Sequence, residues 1–394
     1  MARTMQDDTT KPPVAFDHEA TIVAVVELSR NVWMVAGRVP GLARRPVKKT
    51  AERAAGLLRI LRNWQEEALR TGRQMERVIV AFEAGRDGFW LARLLRRQGI
   101  ESYVIHPASI PVPRGVRAKT DRLDTDMLLR ALSAWLRGEP DACRMAAIPS
   151  LEEEDLRRPS RERAALTTEK TRLINRIRAL LTLHGLVTTS PTPATHKKLD
   201  QLRTAEGEAL PANTRAELGR LFERLALVKQ QLKAIEIELT RTGPVEGEAS
   251  LTTHALAMVG QLASLVGMGT NTAMVLVTEV FIREFPDRRA LARFVGLTGT
   301  PDESGSRRRD RGLIKAGSSR VRHVMIQLAW RLLYHQPDCT LVHWYRGRVE
   351  QANGAGKKTF IVALARKLLI ALWRFVRDGE VPDGMRLAAA SPTP

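Results

Sequence analysis

An α/β domain near the N-terminus, a charged helical middle and a mainly helical C-terminal part form the fold class that the sequence predicts. Three observations predict it. Two short apolar runs rich in β-branched residues, Thr21–Val26 and Val78–Phe82, each end on a carboxylate, Glu27 and Glu83. Strand-like and helix-like segments alternate between and after them. Beyond Met145 the alternation stops, and long, charged, helical segments take over.

Taken in order, residues 1–18 are polar, contain Pro12-Pro13 and no apolar stretch, and read as a disordered tail, not a signal peptide. Thr21–Val26 is the first strand. Val32–Val39 is the second, paired to it through Ser29-Arg30-Asn31. A third, weaker strand follows Pro40-Gly41 and carries the basic run Arg44-Arg45…Lys48-Lys49. Ala51–Ala68 has helical periodicity, with Ala55, Leu58, Leu61 and Trp64 on one side. After the Val78 strand, glycines at 85 and 88 allow a sharp turn into a helix that starts near Phe89. Tyr103-Val104-Ile105 is the next strand, and Lys119-Thr120-Asp121-Arg122-Leu123-Asp124 opens another helix. Three strands followed by helix, strand, helix, strand and helix is the order of a ribonuclease H-like fold. In that order the first and fourth strands are neighbours, which brings Glu27 close to Glu83.

Leu151–Leu186 is helical and highly charged, until Pro191, Pro193 and a polar link break it. Ala216–Leu239 is helical again, with leucines near heptad spacing, so the two segments predict an antiparallel or intersubunit coiled coil. Their charged faces read first as solvated helix surface. Further on, Leu265-Val266-Gly267-Met268-Gly269-Thr270 resembles a helix–hairpin–helix, in which Gly267 and Gly269 expose backbone N–H groups to a phosphate; a plain turn between two core helices is the alternative. Gly296–Arg309 reads as a loop with two serines beside a glycine and a basic run continuing through Arg311, Lys315, Arg320 and Arg322. It is either a solvated loop or a set of guanidiniums gripping a phosphate near a hydroxyl. Ser318 or Ser319 caps the next helix, which Pro337 stops, and the helix from Lys358 to Val376 is apolar on most sides. These changes divide the chain into a tail (1–18), an α/β domain (19–143), a helical coiled-coil region (144–250), a C-terminal domain (251–380) and a second tail (381–394).

Sixty-three lysines and arginines against 43 aspartates and glutamates give a formal net charge of +20. That excess suits a polyanion, nucleic acid first, with an anionic membrane surface as the alternative. Cys143 and Cys339 are the only cysteines, too few for a disulfide framework or a Cys-rich zinc site, which favours a reducing cytoplasm. The nearest approach to a membrane span, Phe360–Val376, is broken by Arg366, Lys367 and Arg374.

The carboxylates are the first candidates for chemistry. Glu83 sits at the carboxyl end of a buried strand, where α/β folds do their work. Asp121 and Asp124, three apart, share a helical face. Like charges so close need a cation to stay ionised together. The plainer reading is a strand end and a helix N-terminus that favours acids.

The Glu83-Ala84-Gly85 strand end, the Lys119–Asp124 motif and the late Ser304-Gly305…Gly312-Leu313-Ile314-Lys315-Ala316-Gly317 block resemble the DEDD transposases of the IS-one-ten type of insertion sequence, also called bridge-RNA-guided recombinases. The resemblance runs over nearly the whole chain. It implies a RuvC-like N-terminal domain with an Asp-Glu-Asp-Asp metal site, then a coiled coil, then a transposase domain with a nucleophilic serine. Matched residue by residue, the acids are Glu27, Glu83, Asp121 and Asp124, ligands for Mg²⁺ with Mn²⁺ as its substitute. The matched serine is Ser304, counting back from Lys315, with Ser306 as runner-up. Arg307, Arg308, Arg309, Arg311 and Lys315 would hold phosphate. The implied partners are DNA of the element ends and target, a non-coding guide RNA and further copies of the chain, as dimer or tetramer, in a prokaryotic cytoplasm at the nucleoid. Two rivals remain: a RuvC-like nuclease or junction resolvase in which Ser304 is structural, and an inactive nucleic-acid-binding relative. The second gains from Glu27, since the family usually has aspartate there and Mg²⁺ tolerates a displaced carboxylate poorly.

Overall fold

The computed structural model describes residues 16–85, 88–110, 121–240, 251–304, 307–313 and 317–388, without the side chains of Ala108, Asp121, Thr240, Thr252 and residues 300–311. It divides into two compact units, Met1–Ser150 and Leu151–Pro394.

In the first unit Thr21–Glu27 (β1), Trp33–Arg38 (β2), Val47–Thr50 (β3), Arg77–Glu83 (β4) and Glu101–Ile105 (β5) form one sheet in the order β3-β2-β1-β4-β5. β1 is antiparallel to β2 and parallel to β4. β2 is antiparallel to β3, and β4 is parallel to β5. The two most apolar runs are therefore the central pair, buried on both faces, while the edge strand β3 exposes Lys48 and Lys49. The helices are Arg53–Arg70 (α1), Trp90–Arg97 (α2) and Asp121–Leu136 (α3).

Two-residue alternation sorts the sheet into two cores. Ile22, Ala24, Val26, Val80 and Phe82 pack with Leu61 and Trp64 of α1 and Leu91 of α2. Val23, Val25, Ile79 and Ala81 pack with Leu128, Leu129, Leu132 and Trp135 of α3. Beneath α1, Gly37 of β2 lies so close to the buried Trp64 ring that a Cβ there would stand 2.5 Å from Cζ3. The third strand starts three residues later than the basic run that marks it in the sequence, and α1 starts at Arg53.

In the second unit the stretch read as one helix from Leu151 breaks into Leu151–Asp155 (α4) and Arg158–Leu183 (α5); Pro159, in the first turn of α5, forces a new start. Pro193–Lys197 (α6) and Ala212–Thr240 (α7) follow. α5 and α7 run antiparallel, as the ion pairs Arg163–Glu236 and Arg176–Glu217 require, around Leu173, Ile177, Leu181, Leu218, Phe222 and Leu225. Leu251–Ala263 (α8), Thr270–Leu276 (α9) and Arg288–Val295 (α10) come next, with a π-helical turn, Val277–Phe281, between α9 and α10. Gly299–Ser304 (β6) and Arg307–Leu313 (β7) pair antiparallel. Ser319–His335 (α11), Thr340–Gln351 (α12) and Lys357–Asp378 (α13) complete the unit. Ser318 is the cap of α11, accepting from the Val321 N–H. α13 buries Ile361, Leu364, Leu368, Leu369, Leu372 and Phe375 in the core it shares with α11 and α12. Among the described residues no helix is long and apolar enough to cross a membrane.

Candidate active site

Register places the first two acids. Val26 of β1 lies opposite Phe82 of β4, so Glu27 and Glu83 are the next residues on adjacent parallel strands, at their carboxyl ends. Both continue the odd-numbered series Val23, Val25 and Ile79, Ala81, and so belong to the face that α3 covers. Both are half-buried. The start of α3 is brought to the same end of the sheet. Met34 is the cross-strand partner of Glu27, and the wholly buried Thr125 hydroxyl stands 3.8 Å from Met34 Sδ. Asp124, next to Thr125 and half-buried, and Asp121, the first residue of α3, lie in that opening turn. Three and four residues on from Asp121 are Asp124 and Thr125, a single helical stripe that continues into Leu128 and Leu132.

Carboxylate oxygens are the donors that a hard divalent cation takes, so the chemistry of this set fits Mg²⁺ or Mn²⁺. Among the described residues no three His, Cys, Asp or Glu side chains stand together as a ready ligand cluster. The Asp121 side chain lies outside that description.

The serine stretch is not a loop but a hairpin. Asp287 caps α10, accepting from the N–H groups of Arg289 (2.6 Å) and Ala290 (2.7 Å), and Gly296 ends it in the left-handed conformation. The chain then runs out through β6 and back through β7. Ser304 pairs with Arg307, Glu303 with Arg308 and Asp302 with Arg309. Five residues separate the Gly299–Leu313 end of the ladder from Ser304, about 17 Å of strand. Ser304 is thus at the tip of a two-stranded hairpin. Arg311 is also on β7, whereas Ser306 and Lys315 lie outside the described residues.

The glycines at 267 and 269 have different surroundings. Gly267, at φ +88°, is pressed against His335, whose Cβ stands 2.7 Å from where a Gly267 Cβ would be. Val266 N–H donates to the Arg386 carbonyl at 3.1 Å, and the Gln336 side chain bridges the carbonyls of Val266 and Arg386. Close packing thus accounts for Gly267. Gly269 precedes α9 and has open space at its Cβ position.

Residues 260–342 match the family model described as "Transposase IS116/IS110/IS902 family", and residues 44–185 match a second model, the IS110-type DEDD transposase, described as "Transposase". A putative transposase, y4rJ of Sinorhizobium fredii, is 42% identical over 372 residues, 92% of this chain and 93% of that protein. The chain belongs to the IS110 family of transposases. More distant relatives include a probable family 20 transposase of Pseudomonas aeruginosa, 26% identical over 76% of the chain and 84% of its own, and the transposase for insertion sequence element IS1111A of Coxiella burnetii, 24% identical over 73% and 74%. As an IS110-family transposase the protein is an enzyme that cuts and rejoins DNA. The 44–185 match contains Glu83, Asp121 and Asp124 but not Glu27; the 260–342 match contains Gly267, Gly269, Ser304 and α11.

One feature of the transposase's second unit had no signature in the sequence. Arg157, 4% exposed, donates from Nε to the Thr278 carbonyl at 3.0 Å. Arg161 grips Glu279 with both Nε (2.8 Å) and Nη2 (3.0 Å). Glu279, 8% exposed, sits in the π-helical turn, with Arg283 and Arg320 close enough to interact electrostatically. Burial alone would raise the Glu279 carboxyl, but the Arg161 hydrogen bonds and the charges of Arg161, Arg157 and Arg320 outweigh it and hold it below the usual glutamate range. Burial, helped by the charge of Arg157, pulls Arg283 down to about 10. Arg157 and Arg161 belong to a segment that reads as solvated helix surface, because their partners lie more than a hundred positions away.

Proposed function

We propose that this transposase excises and inserts its element through Ser304, with Glu27, Glu83, Asp121 and Asp124 as ligands for one or two Mg²⁺ ions. The observation that carries the acid set is the pairing of β1 with β4: two adjacent strands end on Glu27 and Glu83, on the face under the start of α3. Bound there, Mg²⁺ or Mn²⁺ would supply charge stabilisation at the phosphate and a lowered pKa for the attacking hydroxyl.

In the strand transfer, Ser304 Oγ forms a bond to the phosphorus of a backbone phosphate as the bond from phosphorus to the leaving strand's oxygen breaks. The serine proton passes to a general base, and the departing oxygen takes up a proton. Rejoining is the reverse attack, by a DNA hydroxyl on the phosphoserine. Arg307, across from Ser304 in the ladder, is the arginine best placed by register to neutralise the developing charge. Arg308 and Arg309 are the register partners of Glu303 and Asp302. Arg311 and Lys315 are our further candidates for phosphate contact, and Gly269 is a better one than Gly267, which packing already requires. Target choice would be delegated to a guide RNA whose base pairing reads sequence while the protein reads backbone and shape, and the chain would work as a dimer or tetramer.

The test is strand cleavage and rejoining on DNA carrying the element ends, with the guide RNA and Mg²⁺. Wild type is expected to do both, Asp121→Asn to do both roughly 10²–10³-fold more slowly, and Ser304→Ala to do neither. Cleavage by Ser304→Ala at the wild-type rate would overturn the serine reading in favour of a metal-dependent nuclease.

A further inference from the structure

We infer that the exposed face of α11 is a track for an unpaired DNA strand, with a backbone phosphate seated at its N-terminal end and bases stacked on Trp330 and Tyr334. The inference rests on the family's action on DNA and does not depend on Ser304.

The solvent side of α11 is unusual in composition. Its exposed residues recur as Ser319, His323, Gln327, Trp330, Arg331 and Tyr334, a stripe opposite the buried Val321, Met325, Leu328 and Leu332. The helix contains no aspartate or glutamate and three arginines, in a chain of net charge +20. Trp330 is 44% and Tyr334 82% exposed, which is costly for two adjacent large rings on a helix unless something covers them. They are four residues apart, about 6 Å along the axis, so one strand can meet both. Tyr334 meets His335 edge-on, at 5.0 Å between ring centres.

At its start the stripe opens into a cleft of about 360 Å³ lined by Ser160, Asn271, Thr272, Ser319, Arg320 and His323. Arg320 is fixed there by hydrogen bonds from Nη2 to the Ser160 carbonyl (2.7 Å) and hydroxyl (3.2 Å), while its Nε, buried, has no partner among the described residues. Asn271 Oδ1, in the same cleft, is also buried without one. The Arg320 guanidinium that lines the cleft supplies positive charge for a phosphate, and the Asn271 amide suits the sugar and water around it. Ser319 and His323 belong to both cleft and stripe, so the two are continuous. Cations for the backbone and aromatic faces for the bases are the two parts of a single-strand site. A second protein copy would explain the exposed rings but not the acid-free helix. The hairpin carrying Ser304 ends five residues before Ser318, within about 17 Å of chain, so a strand on this track approaches the hairpin base.

The experiment titrates the full-length protein with a labelled single strand of about twelve thymidine nucleotides, its abasic counterpart, a duplex and an RNA of equal length. Trp330→Ala/Tyr334→Ala, both exposed, should melt like wild type yet bind the single strand roughly 10- to 100-fold more weakly. Its affinity for the duplex and the abasic strand should be unchanged. Ser319→Glu, which puts an anion at the cleft mouth without disturbing the core, should weaken both single-stranded DNAs, and Arg331→Gln should lower the salt slope by about 0.7. Ser304→Ala should bind as wild type, which separates this surface from the serine chemistry. The inference fails if the double variant binds the single strand normally, if the abasic strand binds as well as the intact one, or if the RNA binds markedly tighter. It also fails if the double variant changes only the oligomeric state, which would make the face a protein interface.

Discussion

Glu279→Gln tests the energetics of the second unit. The substitution keeps shape and removes the one carboxylate bonded by Arg161, leaving Arg157, Arg161, Arg283 and Arg320 in mutual repulsion, with Glu153 and Glu154 as the remaining nearby acids. Breaking a fully buried pair costs about 3–5 kcal/mol. Arg161 is half exposed, its side chain at 51% against 10% for Glu279, so solvent screens part of this and about 2–3 kcal/mol is the reasoned figure. For a unit of this size that lowers Tm by roughly 4–12 °C. The effect carries a pH signature. Because the folded Glu279 carboxyl is held below its unfolded value, its stabilisation is present above about pH 4.3 and is lost as pH falls through the folded value. Calorimetry at pH 7 and across pH 5 to 3 should therefore show a gap between wild type and variant that closes on acidification. A variant that melts with wild type at pH 7, or a gap that widens as pH falls, would refute this account of the cluster.

Two further outcomes follow from the first unit. Gly37→Ala should push against the buried Trp64 ring and destabilise the protein by about 1–3 kcal/mol, measured by thermal melting, with no change in oligomeric state. Glu27→Asp should keep or raise strand cleavage, whereas Asp121→Asn should reduce it by roughly 10²–10³-fold, the several kcal/mol that a metal contributes; a large loss in Glu27→Asp would mean the site is built around the longer side chain.

Much of the first unit was legible because its signals are local. β-Branched runs such as Thr21–Val26 and Val78–Phe82 form the central strands, and the order of segments was enough to place Glu27 beside Glu83. The Ser318 cap and the apolar α13 were legible for the same reason. Elements with weak local signals were not. β6 contains Pro301, Asp302 and Glu303, poor strand formers, and its partner is the arginine-rich β7; the pairing places opposite charges across the ladder, which no single-strand pattern reveals. α12 was missed because its burial reduces to Val342 and Tyr345, too few positions to make a stripe. The π-helical turn and the arginine cluster depend on contacts between residues far apart in the chain. Among the candidate site residues, the positions of the acids at strand ends and a helix start were legible, whereas the position of Ser304 at a hairpin tip was not.

The most direct measurement of the central claim is a covalent one. Wild type mixed with a suicide DNA substrate that traps the first step should give a protein–DNA adduct that survives denaturation, and mass spectrometry of the digested adduct should place the nucleotide on Ser304. Ser304→Ala should give no adduct while binding DNA as wild type, since one hydroxyl contributes little to a backbone affinity governed by charge, and Ser306→Ala should keep it. An adduct mapped to Ser306, or cleavage without any adduct in wild type, would contradict Ser304 as the nucleophile.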